Sequence, residues 1–126
     1  MVKRVIGLGG IFFKCKDNEA VKSWYEKHLG IPVQPWGASF PWWRAENPDE
    51  ETYSVWSPFK GDTEYFNPSK HDFMVNYQVE DLFQLLEILK SEGVQVMEET
   101  DVSEFGKFGW VIDPEGRKIE LWEPPK

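Results

Sequence analysis

The sequence predicts an α+β fold built from two tandem βαβββ units, and three observations carry that expectation. Residues 9–33, GGIFFKCKDNEAVKSWYEKHLGIPV, can be laid over 73–96, FMVNYQVEDLFQLLEILKSEGVQV. In each, an apolar strand meets an acidic helix start, Asp17 or Asp81, and the helical stretch ends at a glycine before a β-branched strand. Residues 46–59, ENPDEETYSVWSPF, lie over 112–125, IDPEGRKIELWEPP, at a constant offset. Each of these reads as a turn with proline at its second position, running into a strand.

The first unit opens on a strand at 5–15. Its helix, 18–29, places Val21, Trp24, Tyr25, His28 and Leu29 at helical spacing, and Gly30 suits a left-handed cap. Strands follow at 32–35, 39–45 and 52–58, the last two joined through Asn47-Pro48. A connector at 59–71 leads to the second unit. That unit has a strand at 72–79 and a helix at 81–92 with an amphipathic stripe of Leu82, Leu85, Leu86 and Leu89. Gly93 ends the helix, and strands at 94–100, 107–112 and 118–123 complete eight. The units span about 5–58 and 72–124 of a single domain, 1–126.

At 126 residues, 40% hydrophobic and 29% charged, the chain is of a length and composition to bury one core. A formal net charge of −8 argues against a nucleic-acid surface, which needs a basic stripe. No apolar run approaches the roughly 20 residues of a membrane span. The start lacks the apolar stretch of a signal peptide. One cysteine, Cys15, leaves no intrachain disulfide and points to a reducing cytoplasm. Aromatic residues reach 16%, with seven Trp, nine Phe and four Tyr, more than a core of this size uses, so some rings are expected to line a cavity.

Two βαβββ units, with FFKCKDNEAVKSWYEKHLGI opening the first and DPEGRKIELWEP closing the second, resemble the vicinal oxygen chelate superfamily. Its members include glyoxalase I, extradiol dioxygenases and bleomycin-resistance proteins. VWSPF, FMVNYQVEDL and FGKFGWVIDPEGRKIELWEP are similar to an uncharacterised glyoxalase-like branch. The resemblance implies an open, curled eight-stranded mixed sheet, the glyoxalase/bleomycin resistance fold, and a homodimer in which a second subunit often completes the cavity. It further implies a divalent metal held by two His and one or two Glu from the first and last strands of each unit. Counting back by the family's spacing from Asp17 and Asp81 reaches Gly10 and Met74. The closing-strand ligand falls on Glu120, and its repeat partner on Ser54. One carboxylate among Gly10, Ser54, Met74 and Glu120 falls short of an iron or zinc site, so no metal cofactor is expected. His28 reads as a helix residue and His71 as a loop residue.

Side chains alternate along strands, so same-parity residues share a face. Phe12 and Lys14 go with Gly10, Asn76 with Met74, and Lys118 and Trp122 with Glu120. The Asp113-Pro114-Glu115-Gly116 turn pairs Trp110 with Glu120 and Phe108 with Trp122. By the repeat, Arg44, Trp42 and Trp56 correspond to Trp110, Phe108 and Trp122. The expected ligand-binding set is Phe12, Lys14, Trp42, Arg44, Trp56, Asn76, Phe108, Trp110 and Trp122. Connector residues with Tyr65 and Phe66, and the stretch 103–109, are placed to close the cavity. For Glu120 three readings stand open: a sheet residue paired with Arg44 or Lys118, a pocket carboxylate that orients a ligand or accepts a proton, or a surviving metal contact.

The leading functional expectation is a metal-free binder of a small aromatic or amphipathic molecule. The alternative is a lyase, isomerase or dioxygenase of the same superfamily using Glu120. No nucleic-acid or membrane partner is expected.

Overall fold

The computed structural model describes residues 3–126. Seven strands form one mixed sheet: β1 (Val5–Cys15), β2 (Ala38–Arg44), β3 (Asn47–Lys60), β4 (Phe73–Val79), β5 (Gln95–Ser103), β6 (Gly106–Ile112) and β7 (Lys118–Glu123). Two helices, α1 (Asn18–Leu29) and α2 (Leu82–Ser91), accompany them. The strand order is β2-β3-β1-β4-β7-β6-β5. β1 runs parallel to β3 and β4 parallel to β7, whereas β1 and β4 meet antiparallel at the centre.

Seven strands replace the expected eight, because 32–35 forms no ladder. Pro32 and Pro35 remove backbone donors from that stretch, and only an isolated bridge from Gln34 to Gly37 remains. The first half is therefore strand, helix and two strands, while the second half keeps three strands after its helix. The outermost strand, β5, carries Glu98, Glu99 and Asp101 on an exposed edge, which discourages pairing with another chain.

Both helix starts follow the sequence. Asp17 accepts from the Ala20 amide at 3.0 Å, and Asp81 from the Gln84 amide at 3.2 Å, each cap stabilising by about 1 kcal/mol. α2 buries its stripe: Leu82, Leu85 and Leu86 pack with Val79, Val111 and Leu121. Each such side chain stabilises by about 1.5–3 kcal/mol when fully buried.

α1 departs from expectation. Trp24 and Leu29 are 52% and 60% exposed, and the buried residue is Lys22, whose Nζ donates to the Pro35 carbonyl at 2.8 Å. Tyr25 packs on Trp56 with ring centroids 4.9 Å apart. The missing strand leaves α1 resting on β1 and β3, so a narrower face of the helix is covered.

The hairpins decide the register. At 113–116 the sequence reading holds: the Gly116 amide donates to Asp113 O at 3.0 Å, and Asp113 Oδ1 accepts from the amides of Glu115 and Arg117. Gly116 sits at φ 84°, where a side chain is disfavoured. Trp110 accordingly pairs with Glu120 and Phe108 with Trp122. In the first half the turn falls at Ala45-Glu46, and Asn47-Pro48 already belongs to β3. A register shift lies between Trp43 and Arg44, and two more lie in β1 between Val5 and Gly7 and between Leu8 and Gly10.

Candidate functional site

The face of the sheet away from α2 holds a cavity of about 670 Å³, within the range of small-molecule sites. Its walls are mostly rings. Phe12 and Phe59 meet at 5.5 Å, Tyr53 and Trp122 at 5.3 Å, and Phe108 stacks on Trp122 at 6.0 Å with planes 3° apart. Gly9, Asn76 and Glu120 also contribute to the lining.

Glu120 is 2% exposed. Alternation on β7 sends Ile119 and Leu121 under α2, and so sends Glu120 and Trp122 to the cavity side. Isolated burial of a carboxylate costs several kcal/mol, and three donors offset this. Asn76 Nδ2 donates to Oε1 at 2.6 Å, Trp110 Nε1 donates to Oε2 at 2.9 Å, and the Tyr65 hydroxyl donates to Oε2 as well. Burial still pushes the Glu120 carboxyl above its ordinary pKa, against the opposing hydrogen bonds and the Lys118 charge. The Tyr65 phenol is pushed well above its usual value by burial and by the neighbouring Glu120, so it remains a neutral donor.

Lys118 lies 5.2 Å from the Trp110 ring centroid and 5.5 Å from that of Tyr65, and its Nζ donates to Tyr65 O at 2.8 Å. Burial lowers its pKa, opposed by Glu99 and Glu120. The ammonium thus fixes the connector that carries Tyr65. Phe66, fully buried beside Phe12, Met74 and Trp110, anchors the same segment.

The glycine-rich β1 makes this convergence possible. A Cβ on Gly9 would lie 2.0 Å from Asn76 Oδ1, and one on Gly7 would lie 2.5 Å from the Trp42 ring. Without side chains there, β1 is thin enough for neighbouring groups to lie across it. Gln78, fully buried on β4, reaches β3 and donates to Tyr53 O at 2.8 Å. The glycines serve packing.

Of the expected ligand-binding residues, Phe12, Asn76, Phe108 and Trp122 line the cavity, and Trp110 holds Glu120. Lys14, Trp42, Arg44 and Trp56 do not line it. Trp56 packs under α1 with Phe13 and Tyr25. Trp42 donates its indole N–H to Ser54 Oγ at 2.8 Å. Arg44 pairs with Glu80 at 2.9 Å and Glu50 at 3.5 Å, and Lys14 Nζ lies 5.6 Å from the Phe66 ring centroid. For Trp42 and Trp56 the cause is the register of the first half, where Tyr53 and Val55, not Ser54 and Trp56, face the cavity.

The four positions Gly10, Ser54, Met74 and Glu120 therefore do not form one set. Gly10 lies beside Val55 on one side and Asn76 on the other, and Asn76 lies beside Glu120. Val55 is thus the counterpart of Glu120 in the first half. Met74 pairs with Phe12, and the Ser54 hydroxyl donates to Leu8 O. A glycine, a valine, an amide and a single carboxylate already engaged by three donors do not fit a divalent metal. Among the described residues no group of three or more His, Cys, Asp or Glu is placed to hold one. Neither His28 nor His71 lines the cavity.

Tyr65 as the partner of Glu120, and Trp36 and Tyr53 as wall residues, escape a reading of the sequence by repeats and parity, whereas Phe105 falls in the stretch 103–109 expected to close the cavity. Tyr65 and Trp36 stand in connecting segments that alternation does not orient. Tyr53 stands at the parity opposite to Ser54 and Trp56, the positions that the repeat assigns to the cavity face. The Tyr65-Phe66 pair inside a polar connector is the signal in the sequence that this segment packs against the cavity.

No family model matches the chain, and no curated protein matches it. Solved structures share its fold. Methylmalonyl-CoA epimerase from Streptomyces coelicolor, in complex with 2-nitronate-propionyl-CoA, aligns at TM-score 0.68 and 14% identity, covering 100% of each chain. The epimerase from Mycobacterium tuberculosis aligns at 0.61 and 19% identity over 97% of this chain and 90% of its own. A protein from Legionella pneumophila described as an NAD-dependent benzaldehyde dehydrogenase aligns at 0.60 and 14% identity, over 92% and 98%. At these identities the likeness is one of fold alone. The differing descriptions fit the rule that a fold does not fix a reaction. No described helix is long and apolar enough to cross a membrane.

Proposed function

We propose that this protein binds a small aromatic or amphipathic molecule in the ring-walled cavity above Asn76, Glu120 and Trp122, and that it does so without a divalent metal. The cavity itself carries the reading: about 670 Å³ of mostly apolar space with a few polar groups gathered at Asn76 and Glu120. The donor set around Glu120 supports metal independence. Titration with a panel of aromatic fragments, followed by the indole N–H resonances of Trp110 and Trp122, tests this. Saturable shifts at submillimolar ligand are expected. If no fragment moves them at millimolar concentration, the binding reading falls. Stoichiometric, tightly held metal in protein purified without chelator would overturn metal independence.

Glu120 favours a second reading, an isomerase-type proton transfer. A carboxylate raised in pKa by burial and facing a cavity is a stronger base than a solvated one. The fold is shared with epimerases, and a substrate carbon next to a thioester carbonyl could lose its proton to Glu120, its electron pair passing to the carbonyl oxygen as an enolate. Incubation of methylmalonyl-CoA in D2O should then replace its α-proton with deuterium, and Glu120→Gln should abolish the exchange. Exchange at the background rate with the native protein excludes this substrate and removes the support the shared fold lends. A metal-dependent glyoxalase or dioxygenase reading finds one carboxylate here where two His and a carboxylate are needed.

A further inference from the structure

Building on the binding reading, we propose that the cavity takes an aromatic molecule whose inner end donates a hydrogen bond, a phenol or an aromatic amine, and carries no anionic group at that end. Among the described residues lining the cavity, none is Lys, Arg or His, and the one carboxylate is Glu120. An anionic ligand group brought to this end would meet a buried carboxylate with no cation among the lining residues to pair with it, Lys118 acting on Glu120 only from outside the lining. The Lys118 ammonium is occupied by Tyr65 O and by the two ring faces.

The chain's own phenol displays the chemistry this end accepts. The Tyr65 ring stacks on Phe59 at 5.7 Å with planes 13° apart, meets Trp110 edge-on at 89°, and turns its hydroxyl to Glu120. A carboxylate offers about four acceptor positions. Asn76, Trp110 and Tyr65 supply three donors, which leaves a place for a ligand donor. Tyr65 is also 38% exposed, so its ring can yield to a better-fitting one while its backbone stays held by Lys118. Charge-assisted bonds to a carboxylate are about twice as strong as neutral ones, so a donor at the inner end should separate ligands of equal size and apolar area.

Calorimetric titration of the native protein with 2-naphthol, 2-methoxynaphthalene and 2-naphthoate, together with the Trp110 indole N–H resonance, provides the test. Tighter binding of 2-naphthol than of either comparison compound, by tenfold or more, with the Trp110 resonance shifting in proportion to occupancy, is expected. Equal or tighter binding of 2-methoxynaphthalene or 2-naphthoate overturns the donor preference while leaving the cavity as a binding site. Binding of 2-naphthol without movement of Trp110 places the ligand elsewhere and also overturns it. If none of the three binds at millimolar concentration, the binding reading fails and this inference with it.

Discussion

At the scale of single residues, Glu120 sets the character of the site because its cost and its compensation are both large. Burial raises its folded-state pKa above that of the unfolded chain. Below the ordinary carboxylate range both states are protonated and no penalty appears. As pH climbs from there to the folded-state pKa, the unfolded chain releases its proton first, so stability falls, and above that point the deficit is constant. Glu120→Gln removes this dependence. Around it, Asn76 can present its carbonyl to the new amide by rotating, and Tyr65, Trp110 and Lys118, the other groups facing the site, are unchanged. Urea unfolding of both proteins from pH 4 to 8 should show the difference turning against the native protein as pH rises. A flat difference would mean that Glu120 is not shifted. Tyr65→Phe deletes one donor and should cost about 1–2 kcal/mol in the same assay. No change would place that hydroxyl in water instead of on Glu120.

At the scale of elements, legibility followed local turn chemistry. Asp113-Pro114-Glu115-Gly116 is a turn that geometry and composition agree on, so the β6–β7 register, with Trp110 beside Glu120, could be read from the letters. In the first half, Asn47-Pro48 looked equally like a turn, yet the chain reverses at Ala45-Glu46, which carries no such signature. Aligning Asn47-Pro48 with Asp113-Pro114 sets the repeat one residue out of step, and a one-residue slip exchanges the faces of a strand, which puts Trp56 in place of Val55 on the cavity side. Bulges in β1 compounded this, since an extra residue breaks strict alternation. Helix α2 was legible because its stripe of leucines meets a full sheet, whereas α1 covers less sheet and leaves Trp24 exposed. The β6–β7 turn should therefore be sensitive to its glycine. Gly116→Ala at φ 84° should lower stability by about 1–2 kcal/mol, with the Trp110–Glu120 pairing retained in amide hydrogen exchange. An unchanged stability would indicate that the turn relaxes into another type.

At the scale of the whole molecule, the two halves meet along the antiparallel seam of β1 and β4, and the cavity sits over it. The seam is unusual in what crosses it: Gln78 reaches past β1 to the backbone of Tyr53, and Asn76 lies against Gly9 while holding Glu120. A bare β1 thus couples the joining of the halves to the shape of the site, so that a single methyl group can disturb both. Gly9→Ala would set its Cβ 2.0 Å from Asn76 Oδ1 and 3.2 Å from the Trp122 ring. Overpacking of this kind costs about 1–3 kcal/mol, and the nearer contact is to the amide. Removing the amide in Gly9→Ala/Asn76→Ala should relieve most of that strain, although Glu120 then loses one donor. In denaturant unfolding the two substitutions should be non-additive, the double variant being less destabilised than the summed single effects by about 1 kcal/mol or more. Strict additivity would mean that β1 moves aside to accept the methyl group, and that Gly9 and Asn76 are not packed as one unit across the seam.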